Sequence, residues 1–137
     1  DLRNPGLQHV IRPPTPPAGL QQCLSVPESA FGDYVEQEVM PNLSIMYAGG
    51  AARSPQELLA GDRFTALMDY CLRDFDATII DTPPANSSSD ARRISTVAGY
   101  SLIVARRHKS LVGDVKILAT QLQADHARIV GTVLNEA

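Results

Sequence analysis

Polar residues stand directly after three short apolar runs of this sequence. They are Asp81, the pair Arg106 and Arg107, and Asn135. If the apolar runs are strands of an open parallel sheet, ligands bind beyond the carboxyl ends of these strands. A carboxylate at this edge can hold a hydrated Mg²⁺, as in sites for nucleoside triphosphates, or it can simply cap the turn into the prolines that follow Asp81. Asp1 joins the set if a strand precedes it.

The remaining polar clusters favour plainer interpretations. The basic run 106–109 could attract phosphate or an acidic partner, but a solvated loop is the favoured interpretation. The serines at 87–89 lack the Gly-x-Ser-x-Gly frame of a hydrolase nucleophile. Cys23 and Cys71 are far apart and have no Cys-x-x-Cys spacing. This argues against a disulfide scaffold or a zinc site, and it fits a reducing cytoplasm.

Composition narrows the class of protein further. The 137 residues are enough for one domain, which we expect to span the whole chain. Lys and Arg number 12 against 15 Asp and Glu, so the net charge is −3 and nucleic acid is not an expected partner. Hydrophobic residues make up 44% of the sequence, which is enough for a packed core. No apolar run approaches the roughly 18 residues of a membrane-spanning helix, and no signal peptide is visible.

Apolar periodicity predicts an alternation of strands and helices. The proline-rich residues 1–19 are expected to form a loop without helix or strand. The predicted helices are 20–24, 33–39, 54–75, 90–98 and 111–122, and the predicted strands are 43–48, 77–81, 102–105 and 129–134. Such alternation is typical of βαβ units, and strands that are continuously apolar are covered by helices on both faces. The sequence therefore predicts an α/β fold with an open, mainly parallel sheet flanked by helices.

The predicted helix at 54–75 has the clearest signal. It begins with Ser-Pro-Gln-Glu at 54–57, a capping box with proline at the first helical position. In such a box the Ser54 oxygen and the Glu57 carboxylate accept hydrogen bonds from free backbone N–H groups. The apolar residues behind it recur every three or four positions: Ala60, Phe64, Leu67, Met68, Cys71 and Phe75. We expect one amphipathic helix of about five turns.

Short motifs along the whole sequence resemble those of bacterial tyrosine autokinases, which are P-loop proteins of capsule and exopolysaccharide synthesis. Asp-Leu-Arg-Asn-Pro at 1–5 is similar to the end of their second acidic motif, Asp-x-Asp-x-Arg. Ile-Ile-Asp-Thr-Pro-Pro at 79–84 is similar to their Walker B motif. Further similarities follow in family order at 19–24, 43–49, 54–59, 90–91 and 131–135. The resemblance extends from residue 1 to residue 135 and implies a P-loop NTPase-like fold.

The resemblance implies roles for four residues. Asp1 and Asp81 would be catalytic carboxylates and Mg²⁺ ligands that face the γ-phosphate of ATP. Arg3 would belong to the nucleotide site, and Asn135 would contact the base. The implied reaction transfers a phosphoryl group from Mg-ATP to tyrosine hydroxyl groups, in a kinase that regulates polysaccharide chain length and export.

The resemblance also implies partners and a location. The partners are a membrane-anchored co-polymerase or adaptor, protein tyrosine substrates, and further copies of the chain in a homo-oligomer. The location is cytoplasmic, at the inner face of the bacterial cell membrane.

The sequence departs from the family pattern at three places. The glycine-rich Walker A loop, which holds the phosphates, has no counterpart in residues 1–137 and would lie upstream of Asp1. The first aspartate of Asp-x-Asp and the tyrosine-rich tail are also missing. We therefore expect these residues alone to be inactive and to leave an apolar sheet edge open. Two alternatives stay open: a MinD- or ParA-type P-loop ATPase, and a non-catalytic scaffold of the export machinery.

Overall fold

The computed structural model of the protein describes residues 1–13, 15 and 18–136. In chain order its elements are α1 (Leu7–Val10), α2 (Leu20–Ser25), β1 (Glu36–Met40), β2 (Leu43–Ile45), α3 (Pro55–Ala60), α4 (Asp62–Asp74), α5 (Asp90–Ala98), β3 (Tyr100–Arg106), α6 (Val112–Ala124) and β4 (Arg128–Asn135). The chain divides into a first unit, residues 1–83, and a second unit, residues 84–137. The predicted opening loop contains three residues outside the described ones, Pro14, Pro16 and Pro17, and Ala137 is also outside them.

The second unit is built on a parallel strand–helix–strand arrangement. β3 pairs with β4 in parallel from Tyr100 opposite Arg128 to Arg106 opposite Asn135, and α6 connects the two strands. Ile103 of β3, Leu122 of α6 and Ala127 form its buried cluster. The predicted parallel pairing and the predicted helix 90–98 are therefore confirmed. The sequence predicted them because apolar spacing at these lengths leaves the chain few other arrangements.

Helices cover one face of the β3–β4 sheet. Ser101 donates a hydrogen bond of 2.9 Å to Ser95 of α5, and its neighbour on the same face, Ile103, is buried against α6. The alternate residues of β3 are open to solvent: Leu102 is 55% exposed and Val104 is 62% exposed. Among the described residues, helices therefore cover only one face of this strand pair. Continuous apolar runs indicate that a strand has two apolar faces, and they do not show what covers each face.

The predicted long helix of the first unit is two helices. α3 ends and α4 begins at Gly61, whose φ of −73° and ψ of 153° are those of extended backbone. The Ser54 side chain makes no capping hydrogen bond, so the predicted capping box is wrong, although proline does occupy the first turn of α3. Glycine interrupts a helix at low cost, because it lacks the Cβ that favours helical geometry and loses more backbone freedom there than other residues.

An antiparallel hairpin stands where the sequence predicted a helix at 33–39. A 3₁₀ turn at Phe31–Tyr34 is followed by β1, which pairs with β2. The two strands are joined at Asn42, which adopts φ of 61°, a left-handed conformation that asparagine tolerates well in tight turns. β2 is shorter than the predicted strand 43–48. The predicted helix at 20–24 is confirmed as α2, whereas the opening segment, expected to lack helices, contains the single turn α1.

The predicted strand at 77–81 is not a strand in the structure. Its residue Ile79 is 96% exposed, and no strand among the described residues pairs with it. A strand is defined by the hydrogen-bonded ladder to its neighbour, so an apolar run without such a neighbour remains irregular. The segment nevertheless places Asp81 beside Asp1.

Candidate functional site

Asp1 and Asp81 meet in the first unit although they are 80 positions apart in the sequence. The backbone nitrogen of Asp1 donates a hydrogen bond of 3.0 Å to the Asp81 carbonyl oxygen. It lies 3.6 Å from Oδ2 of the Asp81 carboxylate. The Asp1 side chain is 9% exposed, whereas the Asp81 side chain is 68% exposed. The structure thus brings the two predicted carboxylate residues together.

A local turn fixes the carboxylate of Asp1. Its Oδ1 accepts hydrogen bonds from the backbone nitrogens of Arg3, at 2.7 Å, and Asn4, at 3.1 Å. This is the turn that aspartate side chains form with the backbone two residues later. Because Oδ1 is held in this way, the orientation of the whole carboxylate is set. The Arg3 side chain follows the turn and is exposed.

The next residue, Leu2, ties the same segment to a third part of the chain. Leu2 is 4% exposed, and its carbonyl oxygen accepts a hydrogen bond of 2.8 Å from the Ala52 nitrogen. The opening residues therefore lie between Asp81 on one side and Ala52 on the other, as a strand lies between two neighbours. This arrangement, rather than a regular sheet, positions Asp1.

Asp1 and Asp81 are the candidate protein ligands for a hydrated Mg²⁺ at this place. The described residues contain no group of three or more His, Cys, Asp or Glu that could enclose a metal ion. Mg²⁺ commonly takes only one or two carboxylates from the protein and keeps water and phosphate oxygens as its other ligands. An exposed Asp81 beside a fixed Asp1 fits that pattern.

The loop at 47–49 packs tightly against the start of α2. The Leu20 nitrogen donates a hydrogen bond of 2.8 Å to the Tyr47 carbonyl oxygen. The Gln22 side chain accepts a bond from the Gly19 nitrogen and donates one to the Gly49 carbonyl oxygen, each at 2.9 Å. Gly49 has φ of +76°, and a Cβ there would lie 1.9 Å from Oε1 of Gln22. Segments 19–24 and 43–49, singled out in the sequence, are thus joined by a backbone hydrogen bond and by the Gln22 side chain.

Arg63 is a structural residue that the sequence analysis missed. Its guanidinium donates to the carbonyl oxygens of Cys23 and Ser29, both at 2.5 Å, and of Pro27, at 2.6 Å. It also lies over the Phe31 ring, 4.6 Å from the centroid. Burial raises the pKa of the Cys23 thiol beyond the lowering effect of Arg63, so Cys23 is a packing residue rather than a thiolate nucleophile. No spacing signal distinguishes Arg63 from a solvated arginine.

Asn135 lies in the second unit, at the carboxyl end of β4. It is the register partner of Arg106, and its carbonyl oxygen accepts a hydrogen bond of 2.8 Å from the Arg107 nitrogen. The residue is exposed, as a contact with a ligand at this end of the strands would require. The predicted placement of Asn135 and of the arginine pair at strand ends is therefore confirmed.

Solved structures define the class of protein. The chain matches the chimerical protein CapA2B2 with a TM-score of 0.87 and 28% identity, over 100% of this chain and 60% of that one. It matches the kinase domain of the Escherichia coli tyrosine kinase ETK with a TM-score of 0.89 and 26% identity, over 98% of this chain and 52% of that one. The fold is therefore the α/β fold of P-loop tyrosine-kinase domains, as predicted. None of the helices in the described residues has the length and apolar character that a bilayer crossing requires.

Sequence comparison then identifies the relatives. CapB of Staphylococcus aureus, a candidate tyrosine-protein kinase by name, is 28% identical over 136 residues, which are 99% of this chain and 59% of CapB. No family model matches the sequence. The chain spans less than two thirds of the length of each of these similar proteins. It is homologous to bacterial tyrosine-protein kinases, and the resemblance found in its motifs is confirmed.

Proposed function

We propose that the chain is part of an ATP-dependent protein-tyrosine kinase domain that regulates polysaccharide chain length and export. The observation that carries the proposal is the contact between Asp1 and Asp81, 3.0 Å between backbone nitrogen and carbonyl oxygen. The homologous tyrosine-protein kinases support it. The reaction is transfer of the γ-phosphoryl group of Mg-ATP to a tyrosine hydroxyl group.

The residues of the site divide the work. Bound Mg-ATP supplies the electrophilic phosphorus and the cation that offsets the charge of its phosphates. The exposed Asp81 carboxylate accepts a hydrogen bond from the tyrosine hydroxyl group and orients its oxygen toward phosphorus. The fixed Asp1 carboxylate stabilises the cation, and the Arg3 guanidinium balances negative charge on the phosphates. Asn135 contacts the base.

The proposed setting is the inner face of the bacterial cell membrane. There the domain works with a membrane-anchored co-polymerase or adaptor and assembles with further copies of itself. These partners are proposed from the motif resemblance, and the homology to CapB and ETK supports the same setting.

An Asp81→Asn substitution tests the proposal in the full-length protein. Fluorescent ADP binding with Mg²⁺ and phosphotyrosine formation with ATP are measured for the native protein and the variant. We expect the rate of phosphotyrosine formation to fall about 100-fold or more, because an orienting carboxylate contributes at least that much. Asp69→Asn, at an exposed aspartate on α4, removes the same charge and should leave the rate unchanged.

Other results would select an alternative. Nucleotide binding and ATP hydrolysis without phosphotyrosine would identify a MinD- or ParA-type ATPase. No nucleotide binding at all would contradict both enzymes and leave the scaffold.

A further inference from the structure

The turn after β3 presents positive charge and apolar side chains on one short segment. Arg106, Arg107, His108 and Lys109 are all exposed. The segment continues into Leu111, which is 67% exposed, and Val112, which is 72% exposed. We name residues 106–112 the basic–apolar loop. Leu111 was predicted to begin the following helix, but it precedes α6 and is exposed.

Hydrogen bonds hold the basic–apolar loop in one conformation. The Arg106 nitrogen donates to the Ser110 hydroxyl oxygen, and the Ser110 nitrogen donates to the Arg106 carbonyl oxygen, each at 2.8 Å. His108 adopts φ of +61°, which turns the chain back toward α6. The side chains are therefore presented by a closed turn, so little further ordering of the backbone is needed when they bind a surface.

The charge of the loop contrasts with that of the chain. The whole sequence has a net charge of −3, yet both of its lysines lie in or near this loop, at 109 and 116. Two acidic residues lie near the loop. Asp114 is near it in sequence, in the first turn of α6, and Glu136 is near it in space, where it pairs with Arg107 at 3.1 Å. Within the part of the chain that the structure describes, Arg106 and Lys109 of the loop and the nearby Lys116 form no ion pair, so the loop keeps an excess of positive charge.

Cations beside exposed aliphatic side chains match an anionic bilayer surface. Arginine and lysine are attracted to acidic headgroups, while aliphatic side chains gain by entering the boundary between headgroups and acyl chains. We propose that the basic–apolar loop docks on an anionic lipid bilayer, with Arg106, Arg107 and Lys109 at the headgroup phosphates and Leu111 and Val112 at the acyl boundary. The inference goes beyond the kinase function, because docking needs no nucleotide.

Vesicle co-sedimentation of the full-length protein tests the docking without nucleotide. The vesicles contain phosphatidylcholine either alone or with phosphatidylglycerol. We expect the phosphatidylglycerol vesicles to bind the native protein at least about tenfold more tightly than the variant Arg107→Glu with Lys109→Glu. The matched control is Arg12→Glu with Arg73→Glu, which makes the same charge change at two exposed arginines and should keep native binding.

A second measurement follows the apolar part of the loop. The 137 residues contain no tryptophan, and Leu111→Trp adds one in the loop. The emission that the variant shows beyond that of the native full-length protein should shift to shorter wavelength with phosphatidylglycerol vesicles. Circular dichroism checks that each variant folds. Phosphotyrosine formation is measured separately and tests the kinase proposal independently of docking. Equal binding of the loop variant and the control, equal binding to neutral vesicles, or an unshifted emission would overturn the proposal. If the loop variant instead loses binding to an acidic protein and not to the vesicles, the loop binds a protein partner, and the proposal is overturned too.

Discussion

The two units of this protein hold their chains by different means. In the second unit a parallel ladder, with one register shift between Ser101 and Leu102, joins β3 to β4, and α6 packs over it around Ile103 and Leu122. In the first unit, single side chains hold irregular backbone, as Arg63 does for residues 23–29 and Gln22 does for Gly19 and Gly49. The carboxylates of the candidate site, Asp1 and Asp81, lie in the first unit, where individual hydrogen bonds hold the backbone.

The difference has a consequence for tolerance to mutation. A ladder distributes its stabilisation over many equivalent backbone bonds that no single side chain controls. Irregular backbone held by one arginine or one glutamine depends on that residue. Substitutions at such residues of the first unit should therefore cost more than comparable substitutions in the second unit.

Replacing Arg63 with methionine should give the largest effect. The methionine keeps much of the aliphatic volume but leaves the carbonyl oxygens of Cys23, Pro27 and Ser29 without their donor. We expect the free energy of unfolding to fall by about 3 kcal/mol, measured by urea denaturation. The control Arg73→Met, at an exposed position of the same helix, should stay within about 0.5 kcal/mol of native. If Arg63→Met lowers the free energy of unfolding no more than the control does, the proposed difference between the two units is wrong.

Matched glycine substitutions compare the units directly. A Cβ at Gly19 would lie 2.2 Å from the Tyr47 carbonyl oxygen, so backbone must move to admit it. Gly19→Ala should lower the free energy of unfolding by about 2 kcal/mol.

The partner substitution is Gly113→Ala in α6, where nothing lies within 4 Å of the new Cβ. It should raise the free energy of unfolding by about 0.5 kcal/mol, because alanine favours the helix. Thermal unfolding of both variants supplies the comparison, and shifts of the same sign would contradict it.

The Arg92–Asp125 ion pair should give the smallest effect. Arg92 of α5 donates to both carboxylate oxygens of Asp125, at 2.6 and 2.8 Å. The hydrogen bond from Arg92 holds the pKa of Asp125 below its usual value, so the pair stabilises above the unfolded-state pKa and loses this contribution as pH falls through the folded-state pKa. The native protein should therefore melt slightly above Asp125→Asn at neutral pH, and the difference should shrink progressively as the pH falls below roughly 4.

The control for this pair is Asp69→Asn, at an exposed aspartate of α4. Its melting temperature should follow the native one at all pH values tested. A large neutral-pH loss in Asp125→Asn would show that the second unit also depends on a single side chain.

Periodicity predicted the second unit well and the first unit poorly. α5, β3, α6 and β4 follow from apolar spacing, since each repeats a pattern over several residues. The hairpin at 36–45 and the break at Gly61 depend on one or two backbone conformations, which leave no periodic trace. The motifs that contain Asp1 and Asp81 were visible in the sequence, although the strand predicted before Asp81 did not form. The contacts that hold Asp1 were not, because they join the chain to the distant residues Ala52 and Asp81.

Those contacts also bear on the order of events during folding. The bond between Asp1 and Asp81 closes a loop of 80 residues, whereas the bonds within α4 and α5 close loops of four. Distant closures are entropically costly and form slowly, so helices and the β3–α6–β4 arrangement should assemble before the opening residues insert between their two neighbours. The contact between Asp1 and Asp81 would then form last. Its appearance in a folding experiment would mark the time at which the rest of the first unit has already folded.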